Sequence, residues 1–148
     1  MYGNVKEGFL WGGAVMAEAS ILDVATAVVG RYSAAIRDND AEAFRAVWAG
    51  EPTDPVISQS TLYEGPARVM EFLGMLHKVY DSIVLVNDGL DAHLLTDDVA
   101  IVVFRYHTEC VRAETGEPYG IEGLETQVLR LVDDAWKIAH IQYHGKTM

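Results

Sequence analysis

The first half of the chain repeats apolar residues with the spacing of α-helices. From Ile21 to Ile36 they return every three or four positions, which places them on one face of a helix. A shorter run brings Phe44, Val47 and Trp48 onto one side of a second helix. The pattern therefore predicts two amphipathic helices, each of which buries one face.

Short polar segments and one proline mark where helices begin. Ser20, with Asp23 three residues later, resembles a capping box, and Asn39 stands in the same relation to Glu42. Gly65-Pro66 precedes a third, largely apolar run, and proline is favoured at the first position of a helix. We therefore expect helices that begin near residues 20, 39 and 66.

From about residue 82 onward, apolar and polar residues alternate with period two, which is typical of β-strands. Connectors rich in Asp, Gly and Pro separate the runs and favour tight turns. Three helices followed by an antiparallel meander indicate an α+β fold and not a series of βαβ units. The predicted strands are Val56–Leu62, Ser82–Leu95, Val99–Arg112, Tyr119–Val132 and Trp136–His144.

Length and composition indicate one domain in a reducing compartment. The 148 residues suffice for one core, which we assign to residues 20–148, with residues 1–19 as an N-terminal arm that carries Phe9 and Trp11. The net charge of −11 disfavours binding to nucleic acid or to an anionic membrane, and no apolar run approaches transmembrane length. Because Cys110 is the only cysteine, no internal disulfide can form, and we expect a cytoplasmic protein.

Three segments of the chain carry short motifs that occur together in one known family. Gly123–Arg130, followed by Trp136–His140, is similar to the Glu-Thr-x-Val-x-Arg strand and the Trp-x-x-Val-His strand after it in nuclear transport factor 2-like, or SnoaL-like, domains. Asp97–Ala100 resembles their Gly-Asp-Asp-x-Ala turn, and Arg31–Trp48 resembles the helix pair with which they open. The resemblance extends over about Ile21 to His144. It implies a cone-shaped fold, in which three N-terminal helices pack on a curved, mostly antiparallel sheet around a small-molecule pocket.

Ketosteroid isomerase, a relative of these domains, implies candidate catalytic residues. Tyr32 matches the tyrosine that holds the enolate, and Gln127 falls where the isomerase has a proton-donating aspartic acid. The position of the general base matches Val56, which cannot carry a proton. Asp54, two residues earlier, or Glu125, which shares strand parity with Gln127, is the candidate to replace it. The candidate catalytic residues are Tyr32, Gln127, Asp54 and Glu125.

Both carboxylates also have a structural interpretation, which we favour. Asp54 lies in a loop and is solvated in that interpretation, whereas Glu125 lies near the open rim or pairs with Arg105 or Arg130. If Glu125 is buried instead, its pKa rises and it can act as an acid or a base.

The expected pocket is aromatic and neutral. The association domain of calcium/calmodulin-dependent protein kinase II, another relative, has pocket arginines at positions that match Tyr106, Gln127 and Tyr143 here, so a basic pocket is not implied. These aromatic residues alternatively fill the core, but an unpaired buried polar group costs about 1–3 kcal/mol, which favours a ligand at the tyrosine hydroxyls. The residues expected to contact a ligand are Trp48, Phe104, Tyr106, Thr108, Ile141 and Tyr143.

The outward face of the predicted sheet favours a dimer over a metal site. No His-x-His pair occurs, and strand parity turns His107, His140 and His144 away from the pocket, so we expect no metal and no other cofactor. The same face carries Val103 and Arg105, and this mixture of apolar and polar residues predicts a homodimer.

Two functions of different classes remain open on this basis. The first is an enzyme that binds an apolar, oxygen-bearing small molecule and acts as a cofactor-free isomerase, cyclase or lyase by proton transfer. The second is a non-catalytic ligand-binding or assembly module, which the hydrocarbon side chain of Val56 favours. A buried carboxylate that faces Tyr32 would favour the enzyme, because burial tunes such a group for proton transfer.

Overall fold

A computed structural model describes residues 13–51 and 55–148 of the chain. None of the described helices is long and apolar enough to cross a membrane. The described elements are α1 (Gly13–Asp38), α2 (Ala41–Ala46), β1 (Pro55–Ser58), β2 (Thr61–Glu64), α3 (Pro66–Val79), β3 (Tyr80–Thr96), β4 (Val99–Arg112), β5 (Pro118–Tyr119), β6 (Ile121–Val132) and β7 (Ala135–Thr147).

The strands form one sheet in the order β2-β1-β7-β6-β4-β3, and β5 pairs with β4. Strands β3, β4, β6 and β7 are the predicted antiparallel meander, while β1 joins β7 in parallel and β2 turns back along β1. The helices lie against one face of this curved, mostly antiparallel sheet. The predicted α+β fold is therefore confirmed.

The single strand predicted for Val56–Leu62 is wrong. The chain reverses after Ser58, where Gln59 has a left-handed φ of 57°, and the two halves form the β1–β2 hairpin. No Gly, Pro, Asn or Asp occurs between Val56 and Leu62, so the sequence carries no strong turn signal at this reversal. The reversal places Ser58 directly beside Tyr143 of β7.

Helix α1 begins at Gly13 and not at Ser20, so the predicted capping box is wrong. The segment before Ser20 is rich in alanine, the best helix former, and the helix continues through it. The predicted arm over residues 1–19 lies mostly outside the described residues, as do Phe9 and Trp11. The arm therefore stays a prediction.

Helix α2 is capped by Asp40 and not by Asn39. The Asp40 carboxylate accepts a hydrogen bond from the backbone N–H of Ala43 at 3.0 Å. Asn39 has a left-handed φ of 52°, and its backbone N–H donates to the carbonyl of Ile36 at the end of α1. Asn39 thus terminates one helix, and the next residue starts the other. The third helix begins at Pro66, as predicted.

Aromatic rings join the helices to one another above the sheet. Phe44 is fully buried, and its ring centroid lies 5.7 Å from that of Tyr32 on α1 and 6.5 Å from that of Phe72 on α3. At the far end of α3, Nε2 of His77 is hydrogen-bonded to the carbonyl oxygen of Ile36 at 2.6 Å. These contacts hold α1 and α3 side by side over the concave face, with space between their last turns and the sheet.

A β-bulge in β7 changes which residues face the helices. Ile138 and Ile141 are both fully buried although they are three residues apart, because the register shifts between them. Beyond the bulge, Ile141 pairs with Gln127, and alternation turns Tyr143 to the same inner face. His140, directly before Ile141, faces outward, as strand parity predicted.

Candidate functional site

A cavity lies between α1, α3 and the concave face of the sheet. It encloses about 470 Å³ of empty space, part of which is open to solvent. Its wall includes Tyr32 from α1, Phe72 from α3, Tyr106 from β4, Glu125 from β6 and Tyr143 from β7. None of the described residues that line it is Lys, Arg or His. The wall is therefore aromatic, with a single carboxyl group.

Glu125 is 2% exposed and has no counter-charge in the cavity. Burial raises the pKa of its carboxyl group to about 8, although a hydrogen bond from Gln127 works in the opposite direction. The Gln127 Nε2 donates to Oε2 of Glu125 at 2.7 Å. A carboxyl group in this state has substantial populations of both its protonation forms near neutral pH.

The favoured sequence interpretation, in which Glu125 lies near the open rim or pairs with Arg105 or Arg130, is wrong. Arg105 pairs with Leu124 across the strands and is exposed on the other face. Arg130 lies 3.8 Å from Glu51, far along β6 from the cavity. Strand alternation places Glu125 on the inner face of the sheet and both arginines on the outer face.

Three tyrosine hydroxyls surround Glu125. The pKa of Tyr32 is raised well above its ordinary value, first by burial and then by the nearby Glu125. The pKa of Tyr106 is raised by the same two causes in the same order. Burial raises the pKa of Tyr143 to about 12, against a hydrogen bond from Ser58 that lowers it. All three stay protonated near neutral pH and can donate hydrogen bonds.

The hydroxyls of Tyr143 and Tyr106 differ in their partners. The Tyr143 hydroxyl lies 2.5 Å from Oγ of Ser58, which the parallel pairing of β1 and β7 places there. The Tyr106 hydroxyl is buried and has no hydrogen-bond partner in the described part of the chain. It passes over Gly145, where an added Cβ would lie 2.6 Å from it. Because an unpaired buried hydroxyl costs about 1–3 kcal/mol, Tyr106 is the group that gains most from a ligand with an acceptor atom.

One predicted catalytic residue that the structure describes, Gln127, is not on the cavity wall. Gln127 is fully buried behind Glu125 and holds its carboxyl group, so it does not face a ligand directly. Asp54 lies outside the described residues. Val56, at the position of the isomerase base, is fully buried, and its hydrocarbon side chain packs in the core.

The predicted contact residues divide into wall and core. Tyr106, Thr108 and Tyr143 line the cavity, although the Thr108 hydroxyl already accepts a hydrogen bond from the Ile121 backbone N–H at 3.0 Å. The other three predicted contact residues are not on the cavity wall. Phe104 and Ile141 pack in the core between the helices and the sheet, because bulky apolar side chains fill that space. Trp48 lines a separate cleft beside α3.

Part of the cavity wall was not predicted from the sequence. Ile36, one turn after Tyr32, and Leu76 on α3 are cavity residues that helical spacing alone would have indicated. Cys110 shares strand parity with Thr108 and also lines the cavity, where burial raises the pKa of its thiol. No local sequence pattern indicates the contact of Ser58 with Tyr143, because that contact depends on the pairing of β1 with β7. No three His, Cys, Asp or Glu side chains of the described ranges are grouped as metal ligands.

Comparison with known proteins identifies the fold. The family model of the SnoaL-like domain matches residues 25–144. No curated protein matches the chain in sequence. The chain is similar to the structure of a nuclear transport factor 2-like superfamily protein from Salmonella enterica serovar Typhimurium, with 22% identity, 88% of this chain and 94% of that chain covered, and a TM-score of 0.81.

Two further solved structures share the fold at lower identity. One is described as a calcium/calmodulin-dependent protein kinase II association domain from Xanthomonas campestris, with 17% identity, 82% and 85% coverage of this chain and that one, and a TM-score of 0.71. The other is a hexachlorocyclohexane dehydrochlorinase from Novosphingobium barchaimii, with 9% identity, 88% and 91% coverage, and a TM-score of 0.75.

Proposed function

The chain belongs to the family of SnoaL-like domains, and we propose that it binds a neutral, apolar, oxygen-bearing small molecule in its cavity and moves a proton on it without a cofactor. The fold is used for ligand binding and by enzymes, dehydratases among them. The observation that carries the proposal is Glu125, a buried carboxyl group with a pKa of about 8 on the wall of an aromatic cavity. The reaction classes that fit are isomerisation, cyclisation and elimination.

Glu125 is the acid–base group of this proposal. An acid–base catalyst works best when its pKa lies near the working pH, and burial brings Glu125 into that range. In the ionised form it takes a proton from a carbon atom of the ligand, and in the protonated form it returns one. Its only described hydrogen bond uses Oε2, which leaves Oε1 for the ligand.

The tyrosines provide the donors for the ligand's oxygen. Tyr106 has an unpaired hydroxyl, and Tyr32 faces the same cavity from the opposite layer. Preorganised donors stabilise the negative charge that develops on a carbonyl oxygen when its α-carbon loses a proton. Because no cation lines the described wall, we expect a neutral ligand and not a carboxylate or a phosphate.

The proposal is tested with 2-tetralone, a small apolar ketone with exchangeable α-protons. In D2O, NMR measures how fast these protons are replaced with and without the protein. Glu125→Gln keeps the shape of the side chain and removes the base, so the protein-dependent rate should fall at least about a hundredfold. Glu109→Gln, on the outer face of β4, is the matched control and should leave the rate unchanged. Equal rates for Glu125→Gln and the wild type would refute the acid–base role.

A non-catalytic module is the second candidate, because Val56 occupies the position of the isomerase base. In that case 2-tetralone or another neutral ketone binds, but its exchange rate does not rise above the buffer rate. Binding measured by calorimetry together with the exchange assay separates the two functions. The two candidates share the cavity and differ only in what Glu125 does there.

We also propose that two copies associate through the outer face of the sheet. Val103 and Leu124 are adjacent there, 42% and 53% exposed, on the central strands β4 and β6. Apolar side chains in the centre of a sheet face are typical of a surface that a partner covers. Light scattering at micromolar concentration should give the mass of a dimer, and a monomer would contradict this. The single cysteine agrees with a cytoplasmic location, which remains part of the proposal.

A further inference from the structure

Gln127 and Glu125 form a buried polar pair on the inner face of β6. They are two residues apart, so their side chains leave the strand on the same side. Gln127 is fully buried, and Glu125 is 2% exposed. Gln127 donates from Nε2 to the carboxyl group, while its Oε1 is buried without a partner in the described part of the chain. The amide nitrogen of Gln127 therefore has a hydrogen-bond partner, and its amide oxygen has none among the described residues.

Glu125 can supply a donor to Oε1 of Gln127, because its carboxyl group carries a proton in the neutral form and already contacts the same amide. The titratable groups that face Glu125 are the hydroxyls of Tyr32 from α1, Tyr106 from β4 and Tyr143 from β7. Tyr80 from β3 and Cys110 from β4 also line the cavity, and its remaining residues from α3 and β3 are apolar. When the proton of Glu125 lies on Oε2, the O–H faces Nε2 of Gln127, which is a donor only, so this contact has two donors and no acceptor.

Rotation of the amide about its last torsion resolves this conflict. That torsion is roughly two-fold, and a half-turn exchanges the positions of Oε1 and Nε2 with little change of shape. In the turned orientation Oε1 accepts the hydrogen bond from protonated Glu125. Each protonation state of the carboxyl group then has its own matching amide orientation.

Building on the proposed role of Glu125, we propose that Gln127 is a positioning residue whose amide turns to donate to ionised Glu125 and to accept from protonated Glu125. As a C–H bond of the ligand breaks, the O–H bond of Glu125 forms and the amide turns. The O–H bond then breaks as a new C–H bond forms on the same molecule, and the amide turns back. Protons and electrons balance within one bound molecule, which favours isomerisation among the proposed reaction types.

The first test follows the wild-type protein by NMR from about pH 6 to about pH 10 without any ligand. The side-chain amide signals of Gln127, assigned through bonds from its own backbone amide, should shift with the same midpoint as the carboxyl carbon of Glu125. Amide signals that stay constant while Glu125 titrates would overturn the inference and leave the proposed function intact. A Glu125 that titrates at the ordinary pKa of a glutamic acid would instead contradict the proposed function itself.

The second test compares Gln127→Met with the wild type. A fixed donor would stabilise only the ionised carboxyl group, so its loss would raise the proton affinity of Glu125 about tenfold. A turning amide stabilises both states, so its loss should change that affinity less than about threefold. The control is Thr126→Val, the neighbour on the outer face, which should change nothing. A tenfold increase in Gln127→Met alone would refute the inference, and the wild-type titration decides the matter if that variant does not fold.

Discussion

The two faces of the sheet hold titratable side chains whose pKa values shift for different reasons. On the inner face, burial raises the pKa of Glu125, against the hydrogen bond that Gln127 donates. On the outer face, the pKa of His107 is raised chiefly by hydrogen bonds to Asp88 and then to Glu109, at 2.7 and 3.1 Å from its two ring nitrogens. The inner environment favours the uncharged form of its group, and the outer environment favours the charged form.

This difference shows which of the two groups is suited to proton transfer. His107 has two acidic partners at the surface, so solvent and salt screen the group and its proton is held by its neighbours. Glu125 has a neutral amide and neutral hydroxyls around it on the wall of the cavity, so its proton is not held by a charged neighbour. Burial without a counter-charge therefore separates Glu125 from the carboxylates of the outer face.

The largest effect is expected in the pH dependence of stability. Glu125 ionises near its ordinary pKa of 4.5 in the unfolded chain and near 8 in the folded protein. Between these values the folded state holds a proton that the unfolded state has released. The free energy of unfolding therefore falls as the pH rises from about 4.5 to about 8 and is level above it. Glu125→Gln should remove this decline, which is on the order of 5 kcal/mol.

Urea unfolding near pH 5 and near pH 9 measures this decline. The variant should match the wild type at the lower pH and be more stable at the higher pH. Glu109→Gln, which removes a carboxylate on the outer face, should not reproduce the gain. If the wild type and Glu125→Gln are equally stable at the higher pH, the contrast between the two faces is wrong.

The second effect concerns the hydroxyl of Tyr32. Tyr32→Phe keeps the buried ring and its contact with Phe44, so stability should change by no more than about 1 kcal/mol. The loss of one donor to the ligand's oxygen should lower the exchange rate of 2-tetralone about tenfold or more. Tyr119→Phe, which removes a hydroxyl bonded to Thr147 outside the cavity, is the control and should keep the rate. A large loss of stability with an unchanged rate would make Tyr32 a structural residue.

A third, smaller effect is expected for Ser58. Ser58→Ala removes the partner of the Tyr143 hydroxyl, which is then free to turn within the cavity. We expect a loss of about 1 kcal/mol in the free energy of unfolding, together with a loss of a few-fold in the exchange rate. Thermal and urea unfolding of Ser58→Ala, compared with unfolding of Ser60→Ala in the exposed turn, measures the loss of stability. A rate that falls as much for Ser60→Ala would show that the hairpin and not the hydroxyl matters.

The smallest effect is expected for Asp88 on the outer face. Asp88→Asn removes the stronger partner of His107, so the pKa of His107 should fall towards its ordinary value. NMR titration of the imidazole measures this change. The titration of Glu125 and the exchange rate of 2-tetralone should not respond, because the sheet lies between the two groups. A simultaneous change at Glu125 would show that the faces are coupled.

Several elements of the fold and the cavity were predictable from the sequence because they depend on neighbours along the chain. The strand Val99–Arg112 and the start of α3 at Pro66 follow from alternation and from the preference of proline for a helix start. The position of Tyr32 on the inner face of α1 follows from helical spacing. The start of α1 was misplaced because the alanine-rich segment before Ser20 has no sharp end, and the β1–β2 hairpin was missed because no Gly, Pro, Asn or Asp marks its turn.

Local pattern by itself determined that Tyr106 and Tyr143 lie on the inner face of the sheet, because alternation places each of them on the same side of its strand as Phe104 or Ile141. Only the tertiary structure decided that Glu125 is buried beside Gln127 and that Trp48 packs away from the cavity. It also brought Ser58 to Tyr143, which lies 85 residues later in the chain. Burial and pairing over such distances depend on how helices and strands from both halves close around one space. The pKa of Glu125 depends on that closure, and no local pattern contains it.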